Sequence, residues 1–119
     1  MLTRFGKEVR TLRIEKGVTL KQMATALGKT SAYLSAVETG RKNLPDSLVD
    51  EAINYFALEG EMAQQLKRAA ELSHNVVNIP MNGVSEPKRE VATAFARQFP
   101  TLSDETLSQI RSLLERHVD

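Results

Sequence analysis

The chain has 119 residues, 41% hydrophobic and 26% charged, a size and balance that suit one domain, or one small domain with an appendage. It holds no cysteine, which excludes a disulfide framework and a thiolate metal site, and no apolar run approaches the ~20 residues that span a bilayer. The net charge of +1 conceals an asymmetry: nine Lys/Arg against three Glu leave residues 1–45 at +6, and twelve Asp/Glu against seven Lys/Arg leave residues 46–119 at −5. A basic half suits a polyanionic partner, and an acidic half suits protein or solvent. The opening MLTRFGKEVR has no apolar signal core, so a cytoplasmic location is expected.

Residues 3–16 are predicted helical, because Phe5, Val9 and Leu12 recur at helical spacing and Gly17 stops the run. Two short helices follow, Leu20–Leu27 and Ser31–Thr39. Thr19 and Thr30 each offer a hydroxyl to an orphan amide at a helix start. Gly28 stands between them, where a left-handed residue is needed. Met23, Leu27, Leu34 and Val37 fall where both helices face one core, and Ala24 is small where the two must approach. That is the pattern of a helix-turn-helix, whose second helix enters the DNA major groove.

Gly40 ends the second helix, and Arg41 to Pro45 form a loop. A fourth helix is predicted from about Asp46, with Leu48, Ala52, Ile53 and Phe56 on one face and Asp46 and Asp50 near its positive end. A fifth, about Glu59–Ser73, is predicted to carry Met62, Leu66, Ala69 and Ala70 inward. Five short helices ending near residue 73 make a compact all-α domain.

The texture then changes. Residues 74–86 hold Pro, Gly and three Asn and read as a linker; within it Val76-Val77-Asn78-Ile79 is β-prone, with a loop packed by its own valines as the favoured reading. Residues 87–119 read as a helical hairpin. Ser85 and Ser103 are candidate caps, Pro87 suits a first turn, and Pro100 ends the first helix. Val91, Phe95 and Phe99 form one stripe and Leu107, Ile110, Leu113 and Leu114 another. The two stripes exceed what two helices bury between themselves. Docking on the first domain or on a second subunit is required, and dimerisation through Val91, Phe95, Phe99, Leu107, Ile110 and Leu114 is the expectation.

Residues 5–57 resemble the Cro/CI (XRE) family of helix-turn-helix repressors. The matching positions are Phe5-Gly6-Lys7, Val9 to Arg13, Gly17 to Ala24, Leu27-Gly28, Thr30 to Ser35, Val37 to Lys42 and Pro45. The resemblance implies a five-helix, lambda-repressor-like domain whose third helix reads bases. It places Ser31, Ala32, Tyr33 and Ala36 at base-reading positions, with Ser35 beside them. Ser31 and Ser35 offer hydroxyls, Ala32 and Ala36 offer a methyl contact or simply close approach, and Tyr33 offers a phosphate bond or a stacking ring. The large readers of guanine and adenine are missing, so DNA shape and paired half-sites are expected to share in specificity.

The same layout implies phosphate contacts from Lys21, Gln22, Lys29, Arg41, Lys42 and Asn43. Lys7 and Arg10 are secondary candidates. Leu20 departs from the family, which often has Gln there on a phosphate; backbone amides at that helix start can still serve one. Arg13 and Glu38 match a structural ion pair of the family.

His74 and His117 lie far apart, and no HExxH, Gly-rich phosphate loop or nucleophile elbow is present. No enzymatic activity, metal or cofactor is expected. Two functions fit. One is a homodimeric repressor that binds double-stranded DNA at a palindromic operator and often regulates its own promoter. The other is an antitoxin whose acidic residues 46–119 bind a basic toxin and which represses its own operon.

Overall fold

The computed structural model describes residues 1–117, and among them every regular element is helical. The order is α1 (Arg4–Lys16), α2 (Leu20–Leu27), α3 (Ser31–Glu38), α4 (Asp46–Tyr55), α5 (Gly60–Glu71), α6 (Glu86–Gln98), a 3-10 turn (Phe99–Thr101) and α7 (Asp104–Arg116). The all-α expectation therefore stands. Residues 118 and 119, the last two of the predicted hairpin, lie outside the described residues.

Local chemistry sets the helix boundaries. Thr3 Oγ1 accepts from the Gly6 N–H at the start of α1, and Gly17 closes it at φ 66°. Thr19 and Gln22 form a reciprocal capping box on α2, with Gln22 N–H to Thr19 Oγ1 at 3.0 Å and Thr19 N–H to Gln22 Oε1 at 2.9 Å. Gly28 ends α2 at φ 68°, a left-handed geometry that favours glycine. Thr30, Ser85 and Ser103 cap α3, α6 and α7 by the same hydroxyl chemistry.

The chain divides into two compact units, Met1–Val77 and a second that begins at Asn78, so the division falls inside the stretch 74–86. In the first unit α1 packs on α3 and α5, α2 on α3 and α4, and α4 on α5. The shared core holds Phe5, Val9 and Leu12 of α1, Met23 and Ala24 of α2, Leu34 and Val37 of α3, Leu48, Val49 and Ala52 of α4, and Leu66 and Ala70 of α5, with Phe56 at the end of α4. The close of the unit is tied to its start: Ser73 Oγ donates to the Ala69 carbonyl at 2.7 Å and accepts from the Phe5 N–H at 2.9 Å.

Two expectations fail here. Met62 points outward and is 52% exposed, while Ala63 packs against the core, because the inward stripe of α5 runs through Ala63, Leu66 and Ala70. The valines of the connecting stretch do not pack a loop: Val76 and Val77 are 68% and 83% exposed. The chain there is irregular rather than extended into a strand.

In the second unit α6 ends at Gln98, and Pro100 lies in the 3-10 turn that follows it. The Phe95 and Phe99 rings meet at a tilt of 59°, 5.5 Å between centroids. No residue of either α6 or α7 is buried. Between the two helices lies a groove of about 730 Å³ whose lining includes Val91, Phe95, Ile110, Leu113 and Leu114.

Candidate nucleic-acid interface

Helix α3 is the element on which the sequence places recognition, and its position is over-determined. Leu34 and Val37 anchor one side in the core. Thr30 Oγ1 accepts from the Tyr33 N–H at 3.0 Å and fixes its start. At its end the Glu38 carbonyl accepts from the Thr3 N–H at 2.9 Å and from Thr3 Oγ1 at 3.2 Å. Gly6 permits this approach. A Cβ at position 6 would lie 2.2 Å from the Glu38 carbonyl oxygen, so α1 and α3 meet at a distance no side chain allows.

Arg13 and Glu38 join the same helices by side chains. The Arg13 guanidinium donates to Glu38 through Nη1–Oε2 at 2.7 Å and Nη2–Oε1 at 2.9 Å, a bidentate fork. Both residues are buried, 7% and 5% exposed, and among the described residues no buried side-chain polar atom lacks a partner. The guanidinium also lies 3.6 Å from the Met23 sulfur, which brings α2 into the same contact.

The five residues assigned to base readout do not share one environment. Ala32 is exposed, and Ser31, Tyr33 and Ser35 are half-buried. Ala36 is only 9% exposed, though it does not belong to the core cluster that holds Leu34 and Val37. That low exposure leaves little of Ala36 for a base contact and weighs against its assignment as a reader. Ala36 instead acts through its backbone, where its carbonyl accepts the N–H groups of Arg41 at 2.8 Å and Lys42 at 3.1 Å and turns the loop after α3 back over the helix end. Ser35 borders a shallow depression of about 460 Å³ with Arg10 and Leu20, on the side of α3 that faces α1 and α2.

The six residues assigned to phosphate contact, Lys21, Gln22, Lys29, Arg41, Lys42 and Asn43, are all exposed. Three of them are held. Gln22 spends its side-chain oxygen on the capping box. Arg41 Nε donates to Thr39 Oγ1 at 3.2 Å, and that hydroxyl donates to the Ser35 carbonyl at 2.9 Å. Lys42 Nζ sits 5.9 Å above the Tyr33 ring, in cation–π range. Thr39 and Gly6 are the positioning residues that the sequence reading passed over. Gly6 carried a usable signal, since glycine inside a strongly apolar-periodic helix costs stability and implies a close approach. Thr39 carried none, because its role depends on where Arg41 returns.

Electrostatically, exposed cations flank the start of α2 and both ends of α3, within a segment of net +6. The starts of α2 and α3 each carry the positive end of a helix dipole, which favours anions. The arrangement offers a short, half-exposed helix rimmed by positive charge and held rigidly from behind. Among the described residues no cluster of His, Asp and Glu is arranged to hold a metal, and no helix is long and apolar enough to cross a membrane.

A family model described as a helix-turn-helix domain matches residues 4–66, more than half of the chain and all of α1 to α4. No curated protein and no solved structure gives a match.

Proposed function

The chain belongs to this helix-turn-helix domain family, and from that premise we propose that it is a sequence-specific, non-enzymatic DNA-binding regulator of transcription, a homodimeric repressor of a palindromic operator. The observation that carries this reading is the exposed cationic set Lys21, Lys29, Arg41 and Lys42 around a half-exposed α3. Phosphates dominate affinity and fix register, so cations that rim the recognition helix serve to seat it in a groove. Arg41 and Lys42 are the principal phosphate residues, since both are already oriented by Thr39 and Tyr33. Ser31, Ala32 and Tyr33 are the base-facing residues, with Ser35 beside them. None is a bidentate reader, so each half-site is read modestly and two half-sites are needed for specificity.

The test is selection from a random DNA pool, followed by titration of the selected duplex and a scrambled one across salt concentration. Selective binding that falls steeply with salt is expected. Equal affinity for both duplexes would refute sequence-specific regulation.

A second reading is an antitoxin that docks a basic toxin on the acidic residues 46–119. The uncovered apolar groove of the second unit and the −5 balance of that segment favour it. Copurification with a basic protein encoded beside it would select this reading.

A further inference from the structure

Two hydroxyls from opposite ends of the first unit meet at the start of α1. Thr3 is an ordinary N-cap: its Oγ1 accepts from the Gly6 N–H at 3.0 Å. The second hydroxyl comes from just beyond α5, where Ser73 Oγ accepts from the Phe5 N–H at 2.9 Å and donates to the Ala69 carbonyl at 2.7 Å. A helix start leaves its first amides without intrahelical partners, and an exposed start gives them to water. Phe5 is 2% exposed, so its N–H has little water to turn to and depends on Ser73. The same turn of α1 holds the end of α3. Thr3 gives both its N–H and its hydroxyl to the Glu38 carbonyl, at 2.9 and 3.2 Å. Its methyl borders Gly40, where an added Cβ would lie 3.1 Å from Thr3 Cγ2. Arg41 and Lys42, the principal phosphate residues, follow Gly40 directly.

Arg13 also joins α1 to Glu38, but from the last turn of α1 and by side chains alone. Opening the first turn of α1 therefore leaves that pair in place and frees only Thr3, the Glu38 carbonyl and the chain that follows it. We infer that Ser73 is a positioning residue for DNA binding, acting through the first turn of α1 on residues 40–42. With the Ser73 bond made, Thr3 stands against Glu38 and Gly40, and the loop that carries Arg41 and Lys42 is seated before DNA arrives. With the bond lost, the turn opens and the loop has to be ordered at the moment of binding. The inference rests on the DNA-binding reading and adds to it a residue far in sequence from the helix-turn-helix.

Ser73→Ala in the full chain tests it. Leaving the Phe5 amide buried and unpaired raises the open fraction of the helix start about tenfold. Affinity follows the seated fraction, so the dissociation constant is expected to rise roughly fivefold for selected and scrambled duplexes alike. The slope of log affinity against log salt stays unchanged, because the bound complex makes the same phosphate contacts. Arg41→Ala lowers that slope, so the two variants separate positioning from contact. In a background of Arg41→Ala with Lys42→Ala, the effect of Ser73→Ala is expected to vanish. Amide hydrogen exchange quickens more at Phe5, Arg41 and Lys42 than at Ala52 inside α4, whereas a general loss of stability speeds all of them by one factor. Ser73→Thr keeps the hydroxyl and retains both affinity and exchange. Thr3→Val loosens the same turn from its other side, keeps the backbone bond to Glu38, and should repeat the signature of Ser73→Ala. Either loosened variant binding as tightly as the unmodified chain overturns the inference and leaves DNA binding standing. A Ser73→Ala effect that persists at full size without Arg41 and Lys42 does the same. An unmodified chain that binds no duplex overturns the DNA-binding reading, and this inference with it.

Discussion

Removing Glu38 should cost the first unit more than removing Glu38 and Arg13 together. The two side chains are 6% and 9% exposed and joined by two bonds of 2.7 and 2.9 Å, so each has lost nearly all of its water and depends on the other. Glu38→Leu leaves the guanidinium buried with only the Met23 sulfur near it, which costs about 3–5 kcal/mol. The 77-residue unit Met1–Val77 has a total stability on the order of 4–12 kcal/mol. One substitution therefore removes a large share of it and lowers the melting temperature by roughly 12 °C or more. Arg13→Met combined with Glu38→Leu replaces the pair by apolar groups of similar size. That double variant should lie within about 1 kcal/mol of the unmodified chain. The backbone bonds from Thr3 to the Glu38 carbonyl are untouched in every variant, so the cycle isolates the side chains. Urea unfolding followed by helical circular dichroism measures the unmodified chain, Arg13→Met, Glu38→Leu and the double variant. Single variants that cost less than about 1 kcal/mol, or a double variant as costly as the two singles added, would refute the buried-pair reasoning.

Gly6→Ala should destabilise the unit by about 2–3 kcal/mol, because the added methyl lies 2.2 Å from the Glu38 carbonyl and the obstruction is backbone; thermal melting of the variant checks it. Ala57 holds a left-handed φ of 53° in the turn after α4, and Ala57→Gly should raise stability by roughly 0.5–1 kcal/mol in urea unfolding, the steric relief outweighing the added chain entropy. Arg41→Ala and Lys42→Ala should each weaken binding to selected and scrambled duplexes alike and reduce the salt slope by about one, read by fluorescence anisotropy. A change confined to the selected duplex would move either residue from phosphate contact to base readout.

The helices and their ends were legible because their signals are local. Thr19 with Gln22, Gly17, Gly28, Thr30, Ser85 and Ser103 act within one turn of the residues they cap, and that distance is written directly in the chain. Apolar spacing likewise set the inward faces of α1 through α4. The same rule misplaced Met62, because a stripe one position wide leaves two neighbouring faces of α5 equally apolar and only the packing partner chooses between them. The candidate site divides the same way. The positions of Arg41 and Lys42 after α3 follow from sequence order, but their anchoring by Thr39 and Tyr33 follows from how the loop returns. Ala36 shows the limit most sharply: its residue type suits a methyl contact, yet the fold leaves it only 9% exposed.

The sequence by itself determined the number and type of the helices, the helix-turn-helix and the unburied apolar excess of the C-terminal hairpin. Caps, glycine turns and periodic stripes act over a few residues and need no distant partner. Only the tertiary structure decided which residues of α3 remain exposed, that Gly6 lets α1 meet the end of α3, and that the apolar stripes of α6 and α7 border one open groove. Each of these depends on which surfaces, far apart along the chain, come within a few ångströms of one another.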